Sequence, residues 1–502
     1  MTRKLLVLLI LPLFCNGQSY FDNLQKEVEA GAYLSTSGNN PFWLRSNQYG
    51  IVPLESQGVI IRARVGTEQS LLNPSNRFSK KDSLDRSLNW KGFTLNYAVE
   101  AVVNVGKTNK FLFPEAYAAA KWKAFEIYAG RRREVIGLVD STLSSGSYIW
   151  SGNALPLPKI QVGIPNYTPI LGKGLISIKG SYAHGWFDNG YVENFYLHQK
   201  TFYGRLGKPH WKTKFYAGFN HQVQWGGKPA LPFTDPTTGD LITTYPSGWS
   251  PYYSVITGRS LNRDGKGGQL KGVPYNEAFN RAGNHLGTID AGAEFTLNSG
   301  KLMIYRQSIY EDGSLFYLNN ITDGLLGVSY KTNWTGYGIK HILFEYLKTS
   351  NQGGRVGSGS TIGELRGGDN YFNNSLYRNA WTYNGNVIGT PFLTPVSAIK
   401  KSNLDRELPA SIIESSIINN RVHAFTLSAT SYHKLFSGVS RISVSRNLGT
   451  YSTPFDVTNF SLFQEVQFPW KTNYVATASL GIDGGRLYGT QVGAFVRVKR
   501  KF

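Results

Sequence analysis

The feature that most restricts this chain is a period of two, held over long segments and repeated along its length. In "FTLNYAVEAVVNV", Phe93, Leu95, Tyr97, Val99, Ala101, Val103 and Val105 share one side, and Thr94, Asn96, Glu100 and Asn104 share the other. "WKTKFYAGFNHQV" sets Trp211, Phe215, Ala217, Phe219 and Val223 against Lys212, Lys214, Asn220 and Gln222. "HLGTIDAGAEFTL" and "NYVATASLGID" behave alike. The chain closes on "QVGAFVRVKRKF", with Val492, Ala494, Val496 and Val498 in one register and Gln491, Arg497, Lys499 and Lys501 in the other. Successive side chains of a strand point to opposite sides, so each segment predicts a strand with a greasy face and a polar face. Such faces suit a protein core with water outside, or lipid outside with water within.

Composition chooses between the two. Soluble sandwiches alternate as well, but their inner faces carry larger residues than the alanine, glycine and aromatics found here. The segments also reach the ~9–11 residues that a tilted strand needs to cross a bilayer. Hydrophobic residues make up 41%, with 55 glycines and 14% aromatics. This is the profile of a transmembrane barrel, whose lipid-facing residues alternate with polar ones between aromatic girdles. The expected fold class is all-β, an antiparallel outer-membrane β-barrel in a single domain.

The N-terminal "MTRKLLVLLILPLFCNGQSY" places Arg3 and Lys4 before an apolar run from Leu5 to Cys15, with Cys15 and Gly17 spaced for cleavage after Gly17. We expect a signal peptide over 1–17 and a mature domain over 18–502. A lipoprotein reading through Cys15 is second, because Phe14 is bulky where such sites want a small residue. The only cysteine lies in this leader, so the mature chain has no disulfide framework or thiolate metal site. Export of a cysteine-free chain points to the outer membrane of a diderm bacterium.

Lys and Arg number 53 against 32 Asp and Glu, a net charge of +21. An anionic partner is expected. Export argues against nucleic acid and favours acidic polysaccharide, lipopolysaccharide phosphates and anionic lipid. Stretches crowded with Gly, Asn, Pro and Ser, such as 224–253, read as long loops. Short helices are expected in "NNPFWLRSNQYG", capped by Asn40 and stopped at Gly50, and at Ser411 to Glu414. "PEAYAAAKWKAFEIYAG" reads as a hairpin.

The segments "NPFWLRSNQYGIVP", "YAGRRREVIGLVDSTLSSGSYIWSGNALPLPKIQVGIPNY", "LHQKTFYGRLGKP", "YRQSIYEDGSLFYLNN" and "DNYFNNSLYRNAWTYNGNVIGTPF" together resemble the capsule assembly protein Wzi family, over most of the mature chain. The resemblance implies a monomeric barrel of roughly eighteen strands, inserted by the barrel-assembly machinery. It implies helical segments plugging the periplasmic end and an outer face that binds capsular polysaccharide as a lectin. No enzyme activity and no cofactor are expected; the alternatives are a porin-like channel for anionic solutes guided by lumenal Arg and Lys, and, third, an outer-membrane enzyme acting on lipid or lipopolysaccharide.

Among candidate sites, "DNYFNNSLYRNAWTYNG" combines flat rings with amide and carboxylate groups, the chemistry that grips sugar rings and their hydroxyls. Asp369, Tyr371, Asn373, Asn374, Tyr377, Arg378, Trp381 and Tyr383 are the expected carbohydrate contacts, unless the segment folds on itself or forms a membrane belt. "SGWSPYY" around Trp249 is a second candidate. Arg131, Arg132 and Arg133 form the densest cationic patch. They either receive carboxylate or phosphate, or pair lumenal acids while Arg132 snorkels outward. Asp290 and Glu294, four apart on a strand and so about 13 Å apart, read as lumen charges paired with Lys or Arg. No metal or catalytic motif is present: the eight histidines lack an HExxH pair and no G-x-S-x-G appears. They read as scattered over rim and lumen, and a Ser and a His meeting across strands stays open.

Overall fold

The computed structural model describes residues 24–67, 93–262, 270–311, 314–357, 367–399, 402, 408 and 412–502; the expected leader lies outside them. Eighteen strands form one antiparallel sheet. They are β1 Gln25–Ser35, β2 Gly58–Gly66, β3 Phe93–Gly106, β4 Lys110–Trp122, β5 Phe125–Arg131 and β6 Lys159–Leu171. There follow β7 Ile176–Trp186, β8 Tyr196–Leu206, β9 Thr213–Trp225, β10 Asn284–Leu297, β11 Gly300–Tyr310 and β12 Gly324–Thr332. The last are β13 Gly338–Lys348, β14 Val422–Tyr432, β15 Ser437–Gly449, β16 Pro454–Trp470, β17 Tyr474–Gly485 and β18 Gln491–Lys501. Each pairs with the next, and β18 returns to β1 with Lys501 opposite Glu27. Closure removes both sheet edges.

The sheet is inside out relative to a soluble core. Val496 is 56% exposed on its outer face, while Gln491 and Lys499 of the same strand are buried inside. On β3, Phe93, Leu95, Val99 and Val105 face out, and Glu100 and Asn104 are buried in the lumen. Apolar residues facing out and polar ones facing in is what lipid selects. The hairpin read from "PEAYAAAKWKAFEIYAG" is present as β4 and β5, turning at Lys123 with φ 53°.

Both termini emerge at one end. Apart from 67–92, which is almost wholly outside the described residues, connections there are short, such as 123–124, 298–299 and 471–473. The long ones, including 132–158, 226–283 and 349–421, leave the opposite end. Outer-membrane barrels keep short turns in the periplasm and long loops outside, so the terminal end faces the periplasm. Three short α-helices occur among the described residues, α1 Phe42–Arg45, α2 Trp249–Thr257 and α3 Tyr275–Phe279, with a 3-10 turn at Val396–Ala398. The α-helices lie at the long-loop end, because the β1–β2 and β9–β10 connections that carry them leave their strands there. No described helix lies at the terminal end, where the resemblance implied a helical plug; of the 67–92 connection at that end only Thr67 is among the described residues. In α1, Pro41 occupies the cap position, while the Asn40 amide donates to the Pro53 and Glu55 carbonyls. Ile412 to Glu414 are not helical, and Ser411 lies outside the described residues.

Candidate functional site

The lumen is filled from the long-loop end by residues of the β1–β2, β5–β6 and β13–β14 connections. Their backbone polar groups must find partners once buried, and the inward faces of the strands supply them. Asp290 of β10 accepts from Leu138 N (2.8 Å), Tyr203 Oη (2.8 Å) and Gln307 Nε2 (3.1 Å). Glu345 of β13 accepts from Ser145 N (2.6 Å) and Ser144 Oγ (2.8 Å). Asp483 of β17 accepts from Phe42 N (2.8 Å), and Trp43 Nε1 donates to Ser443 Oγ of β15 (2.9 Å). Asn104 of β3 and Gln224 of β9 donate to the Ile51 and Ala380 carbonyls. The plug is thus tied to strands around the circumference. Glu294 does pair with a lysine, Lys214, at 3.1 Å. Asp290 serves the plug through hydrogen bonds instead.

The arginine triplet is consumed by structure. Arg133 is buried, 2.6 Å from Glu100 and 3.8 Å from Glu115; Arg62 reaches the same Glu100 at 2.5 Å. Arg132 does not snorkel outward: it bonds Glu126 at 2.7 Å and Glu134 at 3.0 Å and lies over the Tyr128 ring at 3.9 Å. Lys159 adds a contact to Glu134 at 2.7 Å. Burial alone would raise the Glu134 carboxyl, but Lys159 and Arg132 outweigh it and hold it down to about 2. Arg131 donates to the Tyr383 hydroxyl at 2.7 Å.

The expected sugar-binding segment is folded inward. Trp381, Tyr371 and Tyr377 are each 0% exposed. Trp381 packs edge-on to Phe187 with ring centroids 6.1 Å apart, and Tyr371 edge-on to Tyr148 at 6.1 Å. The Tyr377 hydroxyl donates to Glu277 of α3 at 3.1 Å; burial pushes that carboxyl up to about 7. Asn374 Oδ1 accepts from the backbone N–H of Leu376 and Tyr377, closing a local turn. Asn373 bonds Ile417 at both its amide oxygen and nitrogen. Asp369 accepts from Ser314 Oγ at 2.9 Å, and Arg378, half-buried, stacks on Tyr191 at 4.4 Å. Tyr383 is buried under Arg131. These rings therefore offer no open face for a sugar; clustered aromatics bury their area in the plug instead of in solvent.

A Ser, a His and an Asp do meet across the wall. Ser329 Oγ donates to Asp140 Oδ2 (2.6 Å) and lies 2.8 Å from His341 Nε2, which is itself 2.7 Å from Asp140 Oδ2. In a nucleophilic triad the acid holds one imidazole nitrogen and the hydroxyl uses the other. Here both crowd the same nitrogen, so the serine proton goes to the carboxylate and no relay exists. Burial works to raise the Asp140 carboxyl, but the bonds from His341, Ser329 and Thr142 win and keep it low.

Four histidines are not scattered as expected. His184 of β7, His198 of β8, His221 of β9 and His285 of β10 occupy outward positions, in phase with exposed Phe202, Phe219 and Ile289. Helix α2 covers them from outside: Tyr252 stacks on Trp225 at 4.8 Å and bonds His198 Nδ1 at 3.2 Å, and Lys200 donates to the Ile256 carbonyl. His285 Nε2 is 2.9 Å from the Ala282 carbonyl, which makes it the protonated nitrogen, so its Nδ1 accepts from His221 Nε2 at 2.9 Å. The sequence signal was available: cationic and imidazole side chains stand where the outward register calls for apolar ones. On the far side of α2, Trp249 is 88% exposed and Tyr253 50%.

No family model and no curated protein matches the chain. Among solved structures it is similar to Wzi of Escherichia coli, described as an outer-membrane protein involved in group 1 capsule assembly and a carbohydrate-binding β-barrel. The two are 12% identical, with 96% of this chain and 86% of that one covered and a TM-score of 0.57. OccK3 (OpdO) of Pseudomonas aeruginosa aligns at 9% identity over 96% of both chains, TM-score 0.43. An anion-selective porin from Comamonas acidovorans aligns at 8%, covering 95% and 98%, TM-score 0.35. The likeness at 12% is one of fold. With its closed meander, outward apolar band and one-sided long loops, the protein is an outer-membrane β-barrel.

Proposed function

We propose that this barrel is a polysaccharide-binding, lectin-like protein that holds capsular or another acidic polysaccharide at the cell surface without cleaving it. The observation that carries this reading is the contrast between a lumen packed with plug and an outer end that presents exposed rings. Trp249 and Tyr253 on α2, and Phe316 and Tyr317 in the β11–β12 connection, expose flat faces on the long-loop side. Such faces stack on the C–H side of a sugar ring. Segment 369–383 acts as the scaffold beneath them. Weak single contacts repeated along a polymer gain avidity. The carbohydrate-binding description of the E. coli neighbour supports the same reading. The competing reading, a conduit for anionic solutes, requires the plug to leave the lumen.

Purified protein is expected to retain capsule extract on a binding surface while showing no steady conductance in a planar bilayer. Failure to retain any acidic polysaccharide, together with stable ion conductance, would reverse the order of the two readings.

A further inference from the structure

The terminal end of the barrel carries a charge pattern that the polysaccharide reading does not use. Seven described turns close the strands there: 123–124, 172–175, 207–212, 298–299, 333–337, 433–436 and 471–473. None of these seven contains Asp or Glu; the eighth connection at this end, 67–92, carries Glu68, Asp82 and Asp85 among five Lys and Arg and lies outside the described residues but for Thr67. Between them the seven hold Lys123, Lys173, Lys208, Lys212, Lys434 and Lys471, and β18 ends on the exposed Arg500 and the half-buried Lys501. All of the turn lysines are exposed except the half-buried Lys208. Of the acids at the neighbouring strand ends, Glu27, Glu294 and Glu465 are buried inside the barrel and the half-buried Glu126 is paired with Arg132 at 2.7 Å, so they do not neutralise the turn lysines. At the long-loop end, by contrast, Glu55, Asp188 and Asp456 stand exposed among the cations.

Each side of this ring also carries tryptophan at the same level. Trp122, Trp211, Trp334 and Trp470 are exposed beside the turns. Lys123 Nζ lies over the Trp122 ring at 4.8 Å, Lys340 over Trp334 at 4.5 Å and Lys471 over Trp470 at 5.6 Å. Indole marks the depth of the headgroup layer. The ammonium groups therefore stand at the height of lipid phosphates, where a basic side chain near an anionic surface gains the most.

We propose that this lysine and tryptophan collar is a binding surface for anionic phospholipid headgroups in the leaflet at the terminal end. The turn ammonium groups engage phosphate, and the rings seat in the glycerol region. The surface spans several strands, so it selects an annulus of anionic lipid around the barrel. This inference rests on the barrel and its orientation, and it stands whether or not the other end binds polysaccharide.

The test uses the full chain in vesicles, with tryptophan fluorescence quenched by brominated phosphatidylglycerol or brominated phosphatidylcholine. The wild type is expected to prefer the anionic lipid, with a preference that falls as salt is raised. The triple variant Lys123→Gln, Lys212→Gln, Lys471→Gln is expected to lose up to about fivefold of that preference per lysine removed. Lys→Arg at the same positions is expected to keep it, and heat-modifiable mobility checks that every variant is folded. Equal quenching by the two lipids in the wild type overturns the proposal, as does an undiminished preference in the Gln variant. If a soluble acidic polymer binds the collar and displaces anionic lipid at matched charge, the surface belongs to soluble polyanions and the lipid assignment fails.

Discussion

Two basic regions of this barrel have opposite fates. Arg131, Arg132 and Arg133 are consecutive, and each is held inside by protein: Tyr383, the Glu126 and Glu134 pair, and the Glu100 and Glu115 pair. The turn lysines at the terminal end are scattered from 123 to 471, and no carboxylate stands in any of their turns. Density along the chain identifies the first region, and proximity in space identifies the second. The comparison shows that a cationic run is a ligand site only when the protein has not already supplied its anions. Buried guanidinium groups demand such anions, because an unpaired charge in a low-dielectric interior costs far more than one in water.

The strongest way to break the comparison is to remove the anion from the inner region. Glu100 serves both Arg62 and Arg133. Glu100→Gln should destabilise the barrel by about 3–5 kcal/mol, the penalty for stranding one side of a buried pair. Urea titration followed by heat-modifiable mobility measures it. Lys471→Gln at the terminal end should leave the midpoint where it is. If the two variants unfold alike, the inner network does not hold the plug.

Much of the fold could be read from the period-two segments, because a strand facing lipid on one side and a polar lumen on the other writes both environments into alternate residues. That rule places Glu100, Asn104 and Lys499 inside and Val496 outside. It failed at segment 369–383, where loop composition suits both a sugar site and a packed plug. Tyr371, Tyr377 and Trp381 are buried by contacts with residues far away in sequence, such as Tyr148, Glu277 and Phe187. No local pattern encodes those. The histidine patch under α2 was legible in register but hidden by spacing, since His184, His198, His221 and His285 meet only when four strands lie side by side. The same is true of the turn lysines.

A second contrast lies between two glutamates of the long-loop end, the half-buried Glu134 and the buried Glu277, and pH separates them. Glu134 sits at about 2, below its ordinary 4.5. A depressed carboxyl contributes stability above the unfolded value, and that contribution is lost as pH falls from about 4.5 through about 2. Glu277 sits at about 7, raised from the same 4.5 by burial. Its contribution is complete below about 4.5 and is lost as pH rises through about 7. Each shift is worth about 3 kcal/mol. Glu134→Gln should therefore remove acid sensitivity of the packing around Tyr128, and Glu277→Gln should remove alkaline sensitivity of the packing around Tyr377. Hydrogen exchange of the 132–157 and 371–388 segments between pH 4 and 9 tests the signs. Identical pH profiles for wild type and Glu277→Gln would show that this carboxyl is not buried neutral.

The smallest expected effect concerns which rings meet a polymer. Trp381 fills the plug, so Trp381→Ala is expected to cost about 3–5 kcal/mol by leaving a cavity, and any loss of polysaccharide would follow from a damaged scaffold. Trp249 and Tyr253 lie one helical turn apart on the exposed side of α2; removing them costs the edge contact of Trp249 with Tyr252, centroids 6.3 Å apart, but leaves the Tyr252–Trp225 stack and the buried Val255 in place. Trp249→Ala with Tyr253→Ala should weaken each polymer contact by about 1 kcal/mol per ring, taking aromatic pairs as the guide. Multiplied along a chain of repeats, that loss is visible as capsule shed into the medium. The readout pairs shed polysaccharide with the urea midpoint of the same variant. An unchanged midpoint with more shed polymer places the contact on α2. Unchanged shedding from cells that carry the double variant at normal levels removes α2 from the binding surface and leaves Phe316 and Tyr317 as the rings to test. The turn-lysine variants serve as the opposing control, because they change the terminal end alone and should shed no more capsule than the wild type.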